Sequence, residues 1–84
     1  PNPFRTSTRI AFSLDGPSRT VRLDVYDALG RRVTTLLDGA MPAGSHAITW
    51  DGRDSLGRPV ADGVYFYHLR CAGGRSTGRL VLLR

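Results

Sequence analysis

The sequence predicts an all-β fold in which antiparallel strands pair into two facing sheets. Three observations carry that prediction. Apolar residues recur at every second position in several separate runs. Gly, Pro, Ser and Asp interrupt the chain every few residues, as turns require. Strong helix formers are scarce, with no Glu, Lys or Gln anywhere in the 84 residues.

The elements follow in order. Ile10, Phe12 and Leu14 alternate with Arg9, Ala11 and Ser13 until Asp15-Gly16-Pro17 breaks the run. Val21, Leu23 and Val25 alternate with Arg22 and Asp24, which gives a strand with one dry and one wet face. Asp27-Ala28-Leu29-Gly30 reads as a turn. The third strand runs from Arg31 through Val33 and Leu36 to Asp38, and its adjacent Leu36 and Leu37 imply a bulge or a cover over one leucine. Residues 39–44 read as a loop around Met41 and Pro42. Strand four places His46, Ile48 and Trp50 on one face. The stretch from Asp51 to Pro59 is irregular, and Asp62-Gly63 leads into Val64–Cys71, the strongest β-former in the chain. Ala72-Gly73-Gly74 reads as a hairpin turn before a last strand from about Ser76 to Leu83. Six to seven short strands of this kind fit an immunoglobulin-like antiparallel β-sandwich in a single domain spanning residues 1–84. Its expected core is Phe12, Leu23, Val25, Ile48, Trp50, Tyr65, Tyr67 and Leu69.

Composition narrows the function. The longest apolar run, Leu80–Leu83, is far too short to span a membrane. The net charge of +5 rests on twelve arginines that are scattered rather than interleaved with aromatics, so a nucleic-acid partner is not expected. Met41 is the one methionine and the chain opens on Pro1, which points to a domain cut from a longer protein. Cys71 has no second cysteine to pair with and reads as a small apolar filler. His46 and His68 stand apart from any nucleophile and carboxylate in a catalytic arrangement, and read as sheet-surface residues. Asp51, Asp54 and Asp62 are too sparse for a calcium loop, and Arg53 and Arg58 oppose a cation. Asp51 and Asp54 are expected to cap their own turn amides instead. No catalytic residue, cofactor or metal is expected.

Pro1-Asn2-Pro3-Phe4 with Ser7-Thr8-Arg9-Ile10-Ala11-Phe12-Ser13-Leu14 resembles the opening of type IX secretion system C-terminal sorting domains. Val21 through Tyr26, Asp27, Gly30 and Arg31 to Leu36 resemble the same family's next motif. Further matching positions are Ala43-Gly44-Ser45-His46, Trp50-Asp51-Gly52, Asp54, Gly57, Val60 and Gly63-Val64-Tyr65-Phe66-Tyr67-His68-Leu69. The middle and end of this pattern are shared with the immunoglobulin-like domain of flagellar hook-capping proteins. Arg5-Thr6 departs from the Asn-Pro usual in the sorting family, and Arg79 and Arg84 stand where Lys is common. The resemblance implies a C-terminal address that takes a cargo domain of the same polypeptide to the outer-membrane secretion machinery. It implies an extracytoplasmic protein, secreted or held at the cell surface. The alternatives are a hook-cap-like structural or adhesive module and an accessory domain of a secreted hydrolase. Candidate recognition residues are Arg79, Leu80, Val81, Leu82, Leu83 and Arg84. Pro3, Phe4, Gly30, Gly44, Trp50, Asp51, Gly52, Asp54, Gly57, Gly63, Tyr65 and Tyr67 are expected to be structural.

Overall fold

A computed structural model describes residues 5–84 and contains six strands. They are β1 (Thr8–Leu14), β2 (Ser18–Asp27), β3 (Arg32–Met41), β4 (Gly44–Trp50), β5 (Gly63–Cys71) and β6 (Gly74–Leu82). Every pairing is antiparallel: β1 with β4 in one sheet, and β3-β2-β5-β6 in the other. The expected sandwich is therefore present. Pro3 and Phe4 lie outside the described residues.

Period two explains the core. The smaller sheet turns Ile10, Leu14 and Trp50 inward, and the larger one turns in Val21, Leu23, Val25, Tyr65, Leu69, Leu80 and Leu82. Trp50 is fully buried, stacks edge-on against Tyr65 at 5.1 Å, and donates its indole N–H to the Arg53 carbonyl at 3.0 Å. This arrangement hides the large ring while satisfying its one polar atom. Phe12, Ile48 and Tyr67, expected in the core, are only partly buried and flank it. Cys71 packs beside them, in phase with Leu69.

Two expectations need correction. Residues 39–41 are strand rather than loop, because β2 reaches back to Ser18 and gives Gly39 and Met41 partners in Val21 and Ser18. Asp24, placed on the wet face by its alternation, is 1% exposed. Arg22 covers it at 2.9 Å, Thr35 donates its hydroxyl at 2.6 Å, and Arg70 lies at 3.5 Å. The adjacent leucines resolve as a bulge: Leu23 faces Leu37 and Asp24 faces Thr35, which leaves Leu36 as the extra residue. A second irregularity leaves Val33 unpaired between Arg32 and Thr34.

Two turns share one design. In Asp27-Ala28-Leu29-Gly30-Arg31, the Asp27 carboxylate accepts the Leu29 and Arg31 amides, both at 3.0 Å, and the Arg31 guanidinium at 2.9 Å. In Asp54-Ser55-Leu56-Gly57-Arg58, Asp54 does the same with Leu56, Arg58 and the Arg58 guanidinium. Gly30 and Gly57 take φ of 83° and 80°, the left-handed geometry that closes each turn at little steric cost. The second turn meets β3 just after the first turn, where the Ser55 amide donates to the carbonyl of the bulged Val33 at 3.2 Å.

Candidate functional site: the closing strand and its terminal arginine

The candidate recognition residues all lie on or just after β6, which stands at one end of the strand order β3-β2-β5-β6 among the described residues. Its register against β5 sorts them. Leu80 faces Tyr65 and Leu82 faces Gly63, with both leucine side chains fully buried. A receptor could not touch them without opening the domain. Arg79 and Val81 share the opposite face with their partners Phe66 and Val64, which are 36% and 38% exposed. Leu83 follows the strand and is half exposed.

Gly78 has a packing role that the sequence pattern did not reveal. It faces Tyr67, and a Cβ at this position would collide with the tyrosine ring. The strand therefore keeps its backbone close to β5 while Tyr67 lies across it.

Arg84 folds back instead of trailing into solvent. Its Nη1 donates to the Val60 carbonyl at 2.5 Å and its Nη2 to the Gly52 carbonyl at 3.0 Å. Its backbone amide donates to the Asp62 carboxylate at 3.1 Å. Gly52 already accepts the Val60 amide, so one carbonyl closes the neck of the Gly52–Val60 loop and anchors the chain's last residue. A Cβ on Gly52, whose φ is 73°, would sit 2.8 Å from Arg84 Nη2. The arginine tip could shift aside, so it is the left-handed φ that calls for glycine after Asp51.

The remaining residues divide clearly. Asp54 caps its turn as expected, whereas Asp51 lies 3.8 Å from the Arg53 guanidinium. Gly44 and Gly63 open β4 and β5. The Tyr65 hydroxyl donates to the Ala61 carbonyl at 2.6 Å, and burial pushes its pKa up. His46 stacks against Phe12 at 5.4 Å with Nε2 2.7 Å from the Pro42 carbonyl, and His68 stacks against Tyr26 at 4.7 Å. His68 is exposed on the outer face of its sheet, whereas His46 is half-buried in phase with Ile48 and Trp50. Asp27 and Asp54 have carboxyls held below the usual range, chiefly by the amides of Arg31 and Arg58 respectively. For Asp24, burial pushes the pKa up, but the bonds from Thr35 and Arg22 outweigh it and the net shift is downward. Each carboxylate is thus occupied within its own structure.

Residues 3–73 match the FlgD Ig-like domain family. The chain belongs to that family. The match spans β1 to β5, both Asp-x-Leu-Gly-Arg turns and the Trp50–Tyr65 pair, and it stops just before β6. Among relatives of this FlgD Ig-like domain is the basal-body rod modification protein FlgD of Salmonella typhimurium. It is 33% identical over 69 residues, which cover 82% of this chain and 30% of that protein. The chain thus spans less than a third of that relative's length. The solved FlgD of P. aeruginosa superposes with a TM-score of 0.70 at 28% identity, over 87% of this chain and 57% of that one. A dimeric latent form of PorU from Porphyromonas gingivalis superposes with a TM-score of 0.74 over 99% of this chain and 9% of that one. At 22% identity this second likeness is one of fold. Among the described residues, no helix is long and apolar enough to cross a membrane.

Proposed function

We propose that this FlgD Ig-like domain is a non-catalytic C-terminal sorting module that directs a secreted cargo through the type IX secretion system. The observation that carries the reading is the motif Pro1-Asn2-Pro3-Phe4 with Ser7-Thr8-Arg9-Ile10-Ala11-Phe12-Ser13-Leu14, which resembles that of the sorting domains. The family match covers residues 3–73, and β6 follows it. The fold likeness to PorU extends over that strand as well, since it covers 99% of the chain.

On this reading the domain works outside the cytoplasm. Its partners are the outer-membrane secretion machinery and a cargo domain upstream in the same polypeptide. A second reading rests on the 33% identity to FlgD: a structural or adhesive module whose role is assembly rather than address. A reporter carrying a secretory signal, fused to this domain in a host with the type IX translocon, separates the two. Delivery of the reporter to the surface or medium, and its retention when the domain is omitted, is the expected result. A fusion that stays in the periplasm would remove the sorting reading and leave the structural one.

A further inference from the structure

Among the described residues, the large apolar side chains left exposed gather toward one end of the sandwich. Leu29 is 78% and Leu56 75% exposed, well beyond Leu83, Val64 and Phe66, the others of that kind. The register brings them together. Tyr65 opposes Asp27 and Gly63 opposes Leu82, so the first turn, the start of β5 and the exit from β6 share one end. The second turn joins them through the Ser55 bond to Val33, and Gly52 and Val60 hold Arg84 there. At the opposite end residues 15–17, 42–43 and 72–73 connect the strands, and no large apolar side chain is exposed. Single exposed leucines are ordinary on a protein surface, whereas a one-ended set marks a surface of contact.

The fold needs neither Leu29 nor Leu56. Each stands third in an Asp-x-Leu-Gly-Arg turn that is closed by the aspartate and by the positive φ of the glycine. The same closure sorts the charges. Asp27 and Asp54 are tucked under backbone amides with side chains 22% and 23% exposed, while those of Arg31 and Arg58 project at 73% and 71%. Arg32 is exposed beside the first turn, and Arg5 shares a hollow with Arg53 and Arg84 beside the second. Asp51 and Asp62 lie 3.8 Å from Arg53 and Arg84. These six arginines outnumber the four aspartates of this end by two.

We propose that this end of the domain settles on an anionic lipid surface. Leu29 and Leu56 dip into the acyl boundary, and the guanidinium groups around them meet the headgroup phosphates. Shape decides the occupant. The ten residues of β2 extend roughly 33 Å, so the strands follow the 37 Å axis and the end has a cross-section of 21 × 20 Å. A second copy seated end to end would bury about 800 Å² in all, below the roughly 1,200 Å² at which stable interfaces begin. It would also set arginine against arginine. A bilayer needs no such area, because it yields around two protruding tips and holds them through inserted apolar surface and phosphate contacts.

The inference holds for either reading of the domain's role, and its test does not use export. The 84-residue chain is sedimented with vesicles of equal parts phosphatidylglycerol and phosphatidylcholine, and with phosphatidylcholine vesicles as the control. The expected result is binding to the anionic vesicles alone, weakening as salt rises past about 0.1 M. Leu29→Ser with Leu56→Ser should lower that affinity by roughly tenfold or more while its thermal melt matches the parent's. In the parent, a nitroxide-tagged lipid should weaken the amide NMR signals of residues 28–31 and 55–58 most. No binding, equal binding to both vesicles, or a folded leucine variant that binds like the parent would overturn the proposal. Weakening centred on residues 15–17 and 72–74 would do the same. A dimer in vesicle-free solution that the two substitutions abolish would also overturn it and give this end to a second copy.

Discussion

The two faces of the β3-β2-β5-β6 sheet are built from the same strands but do different work. The inner face holds Val21, Leu23, Val25, Leu80 and Leu82, all fully buried against the smaller sheet. The outer face carries five arginines, Phe66, Tyr26 and His68, with one buried carboxylate, Asp24, at its centre. Within β6 the division falls between neighbours: Leu80 and Leu82 belong to the fold, while Arg79 and Arg75 face solvent. A strand can therefore be essential to stability and still present an alternate row for recognition. Asp24 is the exception, because it ties the outer side chains of β2, β3 and β5 together.

The largest effect should come from the inner row. Leu80→Ala removes a fully buried side chain opposite Tyr65 and should cost about 2–5 kcal/mol in denaturant unfolding. A cost near zero would break the comparison at its strongest point. Next comes Asp24→Ala, which leaves the Thr35 hydroxyl and two arginines without their shared acceptor. It should cost about 1–3 kcal/mol, well above any other single change on the outer face.

Acid sharpens the same contrast. Asp24, Asp27 and Asp54 all have folded pKa values below the usual carboxylate value. Their contribution to stability is therefore full above about pH 4, where the unfolded carboxyls are ionised, and is lost as pH falls through the lower folded values. Thermal melts should be flat down to that point and decline below it. Asp27→Asn with Asp54→Asn should shrink the decline, and an unchanged acid limb would contradict the role given to the two turns. The smallest effect belongs to the rim. Arg75→Ala should leave stability within about 0.5 kcal/mol of the parent, since surface substitutions away from buried features change little.

Much of this architecture is legible in the sequence. The alternation in Val21–Val25 and Tyr65–Leu69 marks the inner row directly, and the adjacent Leu36 and Leu37 announce the bulge that the structure contains. Other features escape such a reading for physical reasons. Alternation assigns Asp24 to solvent because it takes no account of neighbours, and the arginines and threonine that cover it come from three strands. Gly39 and Met41 look like loop because their partners lie at the start of β2, beyond any local window. The clamp between Arg84 and Gly52 joins residues 32 positions apart. The paired Asp-x-Leu-Gly-Arg turns are too short to register as a repeat, and their common geometry emerges only from their matched hydrogen bonds. Along the last strand the alternation of Arg79, Leu80, Val81 and Leu82 is plain in the sequence, and the register then divides these residues between core and surface.

The central claim is that the end of this domain is read as an address while its core merely presents it. Extracellular delivery of the reporter fusion, compared between the parent domain and a Leu83→Ser, Arg84→Ala variant, tests that most directly. Leu83 lies outside the core, and the Arg84 side chain holds the carbonyls of Gly52 and Val60 and lies 3.8 Å from the Asp62 carboxylate, so the variant should still unfold cooperatively, within about 1–2 kcal/mol of the parent. The account expects the folded variant to remain in the periplasm while the parent fusion reaches the surface or medium. Equal delivery of both fusions would contradict it.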